Sequence, residues 1–396
     1  MPRRELFTLL VLMMVQFTGI SDLIILGPLA PGLTTELGKD TKWFATTILA
    51  FTVASALGNL VAAPFVDRFD RKRALLVLFS GFGAGQLVCA LAPSSEVFFA
   101  GRVLGGAFAG LFSSTAGAIV GDVVPPARRG AANGIVSAAY ALAFVVGVPL
   151  GLFLATRSSW RVPFYGMVGI VALVVLVGAF VLPPVRAHLD QPAARATVRA
   201  VLREPACVRA LLVNGLMMFS AYTVTPFLAT YVVKNLGYAE STLPSFYLVG
   251  GIVTLVAAVA LGIAADNKSH LWALRVATVA SLPGTIWCVV MGDHGWLATA
   301  LAVVAFMAPV TGRTVPAMAM AMTAVPDALR GAMMSLNSAA QQLFLGLGAV
   351  AAGALVVETP QGLERFVWCG VLSAVAAALT LGIARAPSRA SNRPSV

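Results

Sequence analysis

The chain carries very little charge for its length. Of its 396 residues only 11% are charged, whereas 59% are hydrophobic. A soluble chain of this size normally spreads charge over a large wet surface, and here the polar area is too small to cover a globule. Apolar stretches of about 20 residues, the length that crosses a bilayer as a helix, recur along the sequence. The scarcity of charge therefore excludes an ordinary soluble protein and predicts an all-α membrane protein.

Cysteine and histidine are scarce as well. The four cysteines lie far apart and form no CxxC pair, so they are interpreted as small apolar packing residues. The three histidines lie in or beside loops, and no paired acids, HExxH or GxSxG-like pattern falls inside an apolar stretch. We therefore expect no enzyme, no metal site and no cofactor.

Twelve apolar stretches are long enough to cross a membrane. They are predicted as spans 1 to 12 at residues 6–29, 43–66, 74–92, 97–122, 131–154, 162–183, 208–233, 241–265, 272–292, 295–324, 332–357 and 363–384. The first contains Asp22 and lacks a convincing cleavage site, so it is interpreted as a retained helix rather than a signal peptide. With both termini cytoplasmic, 19 of the 27 Lys and Arg lie inside, six lie outside and two lie within spans. This asymmetry follows the positive-inside rule, so the net charge of +11 sets orientation and gives nucleic-acid binding little support.

The two halves of the chain share a repeat. Residues 125–147 and 326–348, offset by 201, are identical at ten of 23 positions. Six spans separate the copies, so both halves have the same orientation, which is typical of transporters built from parallel repeats. We therefore predict two pseudo-symmetric six-helix bundles. The predicted segments are an N-terminal bundle at 1–183, a cytoplasmic linker with a short amphipathic helix at 184–207, a C-terminal bundle at 208–384 and a disordered basic tail at 385–396.

The loop after span 2 concentrates charge, with six charged side chains in the seven positions 67–73. Its Asp67-Arg68 and Arg71-Lys72 pairs resemble the signature loop of the major facilitator superfamily, roughly G-x-L-a-D-R-x-G-R-R, although both glycines are replaced. Asp70 stands where a glycine usually turns the chain. Since Asp tolerates the left-handed conformation better than most residues, we expect the turn to survive.

Three further motifs lie in predicted spans. Span 4 carries Arg102 at the start of RVLGG, which matches an R-x-x-x-G pattern. Span 5 carries Gly147, Pro149 and Gly151 in GVPLG, which looks like the antiporter motif of sugar (arabinose) efflux permeases. Span 1, with SDLIILGPLAPGL, resembles the first helix of twelve-helix drug:proton antiporters. Together with the repeat, the motifs resemble the major facilitator superfamily over nearly the whole chain, and the resemblance implies its fold.

The resemblance also implies a function. It implies a secondary active transporter that exports a small organic solute by alternating access in exchange for protons, with the proton gradient as energy source. A proton-independent facilitator, a lipid or lysolipid transporter of the same fold, and a non-transporting receptor stay open as alternatives. The expected partners are a small-molecule substrate, protons and membrane lipids. We expect a monomer that crosses the bacterial inner (plasma) membrane many times, with both termini cytoplasmic.

One acid stands apart from the others. Of the 16 acidic residues, only Asp22 lies well inside a predicted span. Burying a charge in a membrane helix costs about 2.5–3.5 kcal/mol on insertion scales, so such a residue is a functional candidate. Asp22 and Arg102 both fall in the outer half of the membrane, where we expect them to pair. The pair is interpreted as the proton-coupling site, with a structural ion pair as the alternative.

Other polar groups inside the spans are candidates for the substrate cavity. Arg313 lies near the middle of span 10 with no acid of the second half at its depth, so a substrate or gating role and structural hydrogen bonding both stay open. The remaining candidates are polar side chains that also fit interhelical contacts: Tyr140, Tyr222, Asn214, Asn337 and Gln341.

The charged loop has a predicted partner at the same face. In a two-bundle transporter the loop after span 2 faces the start of span 11, near Arg330. A helix N terminus favours an anion, which suits Asp67, and Arg71 suits Asp122 at the same end of span 4. Together with Arg68, these residues are predicted to form a cytoplasmic gate that favours the outward-open state.

Overall fold

The computed structural model describes residues 2–62, 68–125, 128–186, 189, 198–323 and 330–384. Within this part of the chain, twelve helical spans are long and apolar enough to cross a membrane. In chain order, spans 1 to 12 are Arg3–Leu37, Thr41–Leu60, Arg71–Leu91, Ser95–Val123, Ala132–Arg157, Val162–Val181, Pro205–Lys234, Glu240–Ala265, His270–Val290, Trp296–Met322, Ala332–Leu355 and Phe366–Ile383. Each predicted span has its counterpart, and the predicted helical membrane fold is confirmed apart from one short hairpin.

Spans 11 and 12 are joined by a structure that the hydropathy pattern did not indicate. Strands β1 (Val357–Thr359) and β2 (Gly362–Glu364) form an antiparallel hairpin. The prediction had placed the ends of both spans in these residues. The Asn235 side chain, at the end of span 7, donates to the Leu363 carbonyl and accepts from the Leu363 N–H. This clamp fixes the backbone of Leu363 and so holds β2 in place against the end of span 7.

Proline fixes where two spans break. Span 7 is interrupted after Tyr222, four residues before Pro226. Span 10 is interrupted after Gly312, four residues before Pro316. Proline lacks an N–H, so the carbonyl four residues before it loses its helical partner and the helix bends there. The interruptions of spans 7 and 10 therefore follow from Pro226 and Pro316.

The chain alternates between two faces of the molecule. We call the face at which span 1 begins the terminal face, and the opposite one, which carries β1 and β2, the hairpin face. A short helix, Val198–Arg203, lies at the terminal face between spans 6 and 7, where a linker helix was predicted. The predicted tail, 385–396, lies outside the described residues.

The apolar cores show how the two bundles are joined. One core draws buried residues from all six spans of the first half, among them Leu12, Phe82 and Phe112. A second core runs across both halves near the hairpin face. There the rings of Phe44 in span 2 and Phe227 in span 7 pack edge to face with centroids 6.3 Å apart. Apolar burial therefore joins the bundles on the hairpin side, whereas the other described cores each stay within one bundle.

The sequence repeat has a counterpart in the packing. The Phe112 ring of span 4 lies 2.7 Å from the point where Gly19 of span 1 would carry a Cβ. At the positions 201 residues later, Arg313 of span 10 bonds Ser220 of span 7 at 2.9 Å. Spans 1 and 4 of the first half and spans 7 and 10 of the second half therefore meet at equivalent positions. The contact is an aromatic ring against a glycine in the first half and a guanidinium against a hydroxyl in the second.

Candidate functional site

The buried charge of the N-terminal bundle lies between spans 1 and 4. Arg102 Nη1 donates to Asp22 Oδ1 at 2.6 Å, and neither residue has any exposed surface. The guanidinium carbon lies 4.1 Å from the centroid of the Phe51 ring in span 2. The predicted pairing is thus present. Removing one partner of such a buried pair typically costs about 3–5 kcal/mol, because the other charge is left uncompensated.

Small residues in span 5 bring that helix against span 1 beside the pair. A Cβ on Gly147 would lie 2.5 Å from Ser21 Oγ, and one on Gly151 would overlap the Ile25 side chain. Just before Pro149 the helix widens into the π-helix Ala143–Gly147. Pro149 has no N–H to donate to the preceding turn, and the wider π-helical turn accommodates this missing hydrogen bond. The antiporter-like motif therefore shapes the wall next to Asp22, and its role in coupling stays a prediction.

The second buried arginine has uncharged partners. Arg313 donates to Ser220 Oγ at 2.9 Å, and to the Met217 carbonyl and Ser281 Oγ at 3.3 Å each. It has no exposed surface, and its described partners all belong to spans 7 and 9. The guanidinium is therefore turned into its own bundle, which favours structural hydrogen bonding over contact with substrate or with Asp22.

Two tyrosines from different bundles lie within electrostatic range of each other. Tyr222 of span 7 interacts electrostatically with Tyr140 of span 5 and with Asp22. Tyr140 is 57% exposed although it lies in the middle of a span. Because Tyr140 is exposed and also interacts with a residue of the other bundle, it lies beside the space between the two bundles. Of the cavity candidates, this pair is the one that the structure brings together across the two halves.

The amide candidates stay within the C-terminal bundle. Gln341 Nε2 donates to Asn214 Oδ1 at 3.3 Å, and Asn214 Nδ2 donates to the Ala210 carbonyl at 3.0 Å. Asn337 Nδ2 lies 3.4 Å from Met318 Sδ. These contacts match the interhelical alternative, and a contact with substrate stays a prediction for all three.

At the terminal face, one part of the predicted gate is present. Arg71, at the start of span 3, forms an ion pair with Asp122 near the end of span 4, as predicted. Asp67 and its contacts lie outside the described residues, as does the Arg330 side chain at the start of the span 11 helix. Arg68 is described and exposed. The structure thus contains the predicted Arg71–Asp122 contact, while the gate role and the contacts between the bundles stay predictions.

Asp70 behaves differently from the prediction. Its backbone (φ −55°, ψ 117°) is not left-handed; it caps span 3 by accepting from the Lys72 N–H at 2.9 Å. It also accepts from the Val185 N–H at 3.2 Å and from Arg186 Nε at 3.0 Å, which ties the segment after span 6 to the loop. Burial alone would raise the pKa of Asp70. The hydrogen bonds from Val185, Arg186 and Lys72 outweigh it and hold that pKa below its ordinary value.

Some polar residues near the site were not identified from the sequence. Gln86 of span 3 is buried beside the span that carries Arg102. Ser55 and Asn59 of span 2 contact Gln342 and Ser338 of span 11 across the bundles, at 3.2 and 3.3 Å. Amides are rare in apolar spans, so the criterion that made Gln341 a candidate, an amide inside a span, applies to Gln86 as well. Serine gives no comparable signal, because it is common wherever helices pack closely.

Comparison with known proteins agrees with this architecture. The sequence model of the Major Facilitator Superfamily matches residues 12–349, and the chain belongs to that family. It is 24% identical over 349 residues to the uncharacterised MFS-type transporter YceJ of Bacillus subtilis (strain 168), covering 87% of this chain and 88% of the relative. It is 36% identical over 156 residues to YwfA of the same organism, covering 39% of this chain and 38% of that relative's length.

Solved structures show the same fold. A bacterial homologue of the human lysosomal transporter Spinster, in an inward-facing and unoccupied conformation, has a TM-score of 0.77 at 17% identity and 98% coverage of each chain. A D-xylose-proton symporter has a TM-score of 0.75 at 15% identity, covering 97% of this chain and 99% of the other. The chain is therefore a member of the Major Facilitator Superfamily with twelve candidate membrane spans in the part that the structure describes.

Proposed function

We propose that the protein exports a small organic solute by alternating access and exchanges it for protons, as the sequence predicted. The observation that carries the proposal is the Asp22–Arg102 pair, with a 2.6 Å contact and no exposed surface. When the Asp22 carboxylate accepts a proton, it loses its negative charge and therefore its electrostatic attraction to the buried Arg102 guanidinium. Protonation of Asp22 therefore weakens the contact between spans 1 and 4, which couples proton binding to helix packing.

The packing between the bundles supports alternating access. The apolar core that joins the bundles lies on the hairpin side, and Tyr140 and Tyr222, one from each bundle, lie within electrostatic range of each other. This arrangement fits a substrate path that is sealed toward the hairpin face. The two phenols offer the solute aromatic surface and hydroxyl groups. The solute binds beside these tyrosines when the terminal face is open. There the charge of Asp22 acts on the bound solute.

The terminal face is assigned to the cytoplasm of a bacterial inner membrane. The excess of Lys and Arg on this side supports that orientation. The Arg71–Asp122 pair holds spans 3 and 4 together beside the loop that carries Asp67. In the opposite state of the cycle, the Asp67 carboxylate sits at the N terminus of span 11 and closes this face.

Transport by reconstituted wild-type protein tests the proposal. A screen for compounds that raise the melting temperature of the purified protein supplies the solute. Proteoliposomes loaded with it, under an imposed pH gradient, are expected to move it against its own concentration gradient, and a protonophore is expected to abolish this. Equilibration that the protonophore leaves unchanged would identify a facilitator. Binding without movement in either direction would identify a receptor, and both results would overturn proton exchange.

A further inference from the structure

One carboxylate at the hairpin face contacts both bundles. Glu358, in strand β1, forms an ion pair with Lys234 at the end of span 7 through its Oε1. Its other oxygen, Oε2, accepts from the Thr41 N–H at 3.2 Å. Lys234 belongs to the C-terminal bundle, whereas Thr41 begins span 2 of the N-terminal bundle. Glu358 therefore joins a backbone amide of one bundle to an ammonium group of the other.

The Thr41 N–H needs an acceptor from outside its own helix. It belongs to the first turn of span 2, where the backbone N–H groups have no carbonyl of the same helix to bond. The Asp40 side chain caps this end of the helix by accepting from the Trp43 N–H at 2.9 Å. The start of a helix attracts negative charge. The Glu358 carboxylate therefore acts as a second acceptor there, supplied by the other bundle.

The hairpin that carries Glu358 is fastened to the C-terminal bundle. Asn235 bonds both backbone groups of Leu363, and Leu363 lies directly opposite Glu358 in the hairpin register. A Cβ on Gly362 would lie 2.8 Å from Asn235 Oδ1, so this close approach depends on the glycine. If the bundles move apart, the hairpin therefore stays with span 7, and the contact that breaks is the one between Glu358 and Thr41.

The Thr41 contact lies at the outer end of a tightly packed seam between the bundles. Just inside it, a Cβ on Gly353 of span 11 would lie 2.6 Å from the Ala45 Cβ of span 2. Two other ion pairs described at the hairpin face stay within the N-terminal bundle: Lys39–Glu96 and Arg161–Glu36. The Glu358 carboxylate thus adds a charged contact across a seam that is otherwise closed by apolar packing.

We propose that Glu358 is a releasable latch that holds the hairpin face closed, and that Lys234 keeps its carboxylate paired when the latch opens. In the closed state Glu358 contacts both partners. As the bundles part, water takes over the Thr41 N–H, while the Glu358–Lys234 pair travels intact with the C-terminal bundle. The carboxylate is paired in both states, so opening exchanges one hydrogen bond at the start of a helix for a bond to water.

This inference rests on the proposed alternating access, but its test needs neither solute nor transport. Spin labels attached through Ser158→Cys and His294→Cys, at exposed positions of the two bundles on the hairpin face, report open and closed populations of the reconstituted protein as distances. The four native cysteines are buried, which limits background labelling. Glu358→Ala should raise the ratio of open to closed protein by about fivefold. Glu358→Gln, which keeps an acceptor without the charge, should raise it less.

Lys234→Met separates a latch from a plain structural tie. It leaves the contact between Glu358 and the Thr41 N–H in place, so it should not raise the open population. A hairpin that is merely held in shape by its ion pair would instead loosen as much in Lys234→Met as in Glu358→Ala, and equal rises in the two variants would overturn the latch.

Glu364→Ala is the matched control. It makes the same change in the same hairpin, at an exposed residue that follows Leu363 in β2 and so points to the opposite face of the hairpin from Glu358. It should leave the populations unchanged. Melting temperatures check that each variant is folded.

The result is separable from proton exchange. Wild-type distances in folded Glu358→Ala, with gradient-driven transport intact, would overturn the latch and leave proton exchange standing. A raised open population in Glu358→Ala, together with wild-type transport that a protonophore leaves unchanged, would keep the latch and overturn proton exchange.

Discussion

The N-terminal and the C-terminal bundle each contain a fully buried arginine, Arg102 and Arg313, and the two have different kinds of partner. In the N-terminal bundle Arg102 faces the carboxylate of Asp22, while in the C-terminal bundle Arg313 faces two serine hydroxyls and a backbone carbonyl. The position equivalent to Arg313 in the first half is Phe112, so the repeat has kept the helix crossing and changed the chemistry. A carboxylate–guanidinium pair can be broken by one proton, whereas a guanidinium held by hydroxyls offers no group that titrates near neutral pH. On this ground the proposed proton coupling is assigned to the first half, and Arg313 in the second half is expected to serve structural hydrogen bonding.

The largest expected effect comes from Arg102→Ala. It leaves Asp22 buried without its cation, and we expect the free energy of unfolding to fall by about 3–5 kcal/mol. The measurement is denaturant unfolding in detergent at neutral pH. In the double variant Arg102→Ala, Asp22→Asn no charge is left uncompensated, so most of the loss should be recovered. Equal losses in the single and the double variant would show that the pair is not an electrostatic unit.

An intermediate effect is expected where the halves differ in how a helix begins. Span 3 is capped by the Asp70 carboxylate and span 9 by the Ser269 hydroxyl, which accepts from the Trp272 N–H at 3.1 Å. Since the pKa of Asp70 is lowered in the folded protein, its contribution is present above the unfolded-state pKa of about 3.9 and is lost as pH falls through the folded-state value.

Unfolding measured from pH 6 down to pH 3 tests this difference. Asp70→Asn should lower the unfolding free energy by about 1–2 kcal/mol at pH 6 and by little at the acid end. Ser269→Ala should cost about 1 kcal/mol at every pH. Parallel curves for Asp70→Asn and wild type would mean that the Asp70 charge does not hold the segment after span 6.

The smallest effect is expected from Arg313→Met. The hydroxyls that face the guanidinium have other partners, since Ser220 pairs with Ser373 at 3.0 Å and Ser281 donates to the Thr278 carbonyl at 2.7 Å. Removing the cation therefore leaves no described hydroxyl orphaned and relieves the cost of burying a charge. We expect a change in unfolding free energy of about 1 kcal/mol or less, with gradient-driven transport retained. Loss of solute binding in the folded variant would return Arg313 to the substrate cavity.

Much of this comparison could be anticipated from the sequence, and the reasons are physical. Hydropathy located the twelve spans, because a bilayer demands long apolar helices. Asp22 and Arg102 were predicted to pair because each is costly to bury alone in a membrane helix and the two lie at the same depth. Arg71 and Asp122 are opposite charges at one face, and their contact was predicted on that ground.

Other features depend on contacts that composition does not record. Two of the three partners of Arg313 are serines, and a serine looks the same in sequence whether its hydroxyl bonds its own helix or a neighbouring one. The β1–β2 hairpin is held by Asn235, more than 120 residues away along the chain. Asp70 was assigned to a left-handed turn because a family glycine stands there, but its acceptor oxygens made a helix cap and a tie to Arg186 instead.

The claim that the first bundle carries the coupling is tested most directly with Asp22→Asn. This variant keeps the size of the side chain and fixes it in a state like the protonated one. In proteoliposomes we expect gradient-driven transport to fall to background while downhill exchange of the same solute continues at a measurable rate, with Arg313→Met beside it performing both. Full gradient-driven transport by Asp22→Asn would contradict the account and assign the coupling to another group or ion.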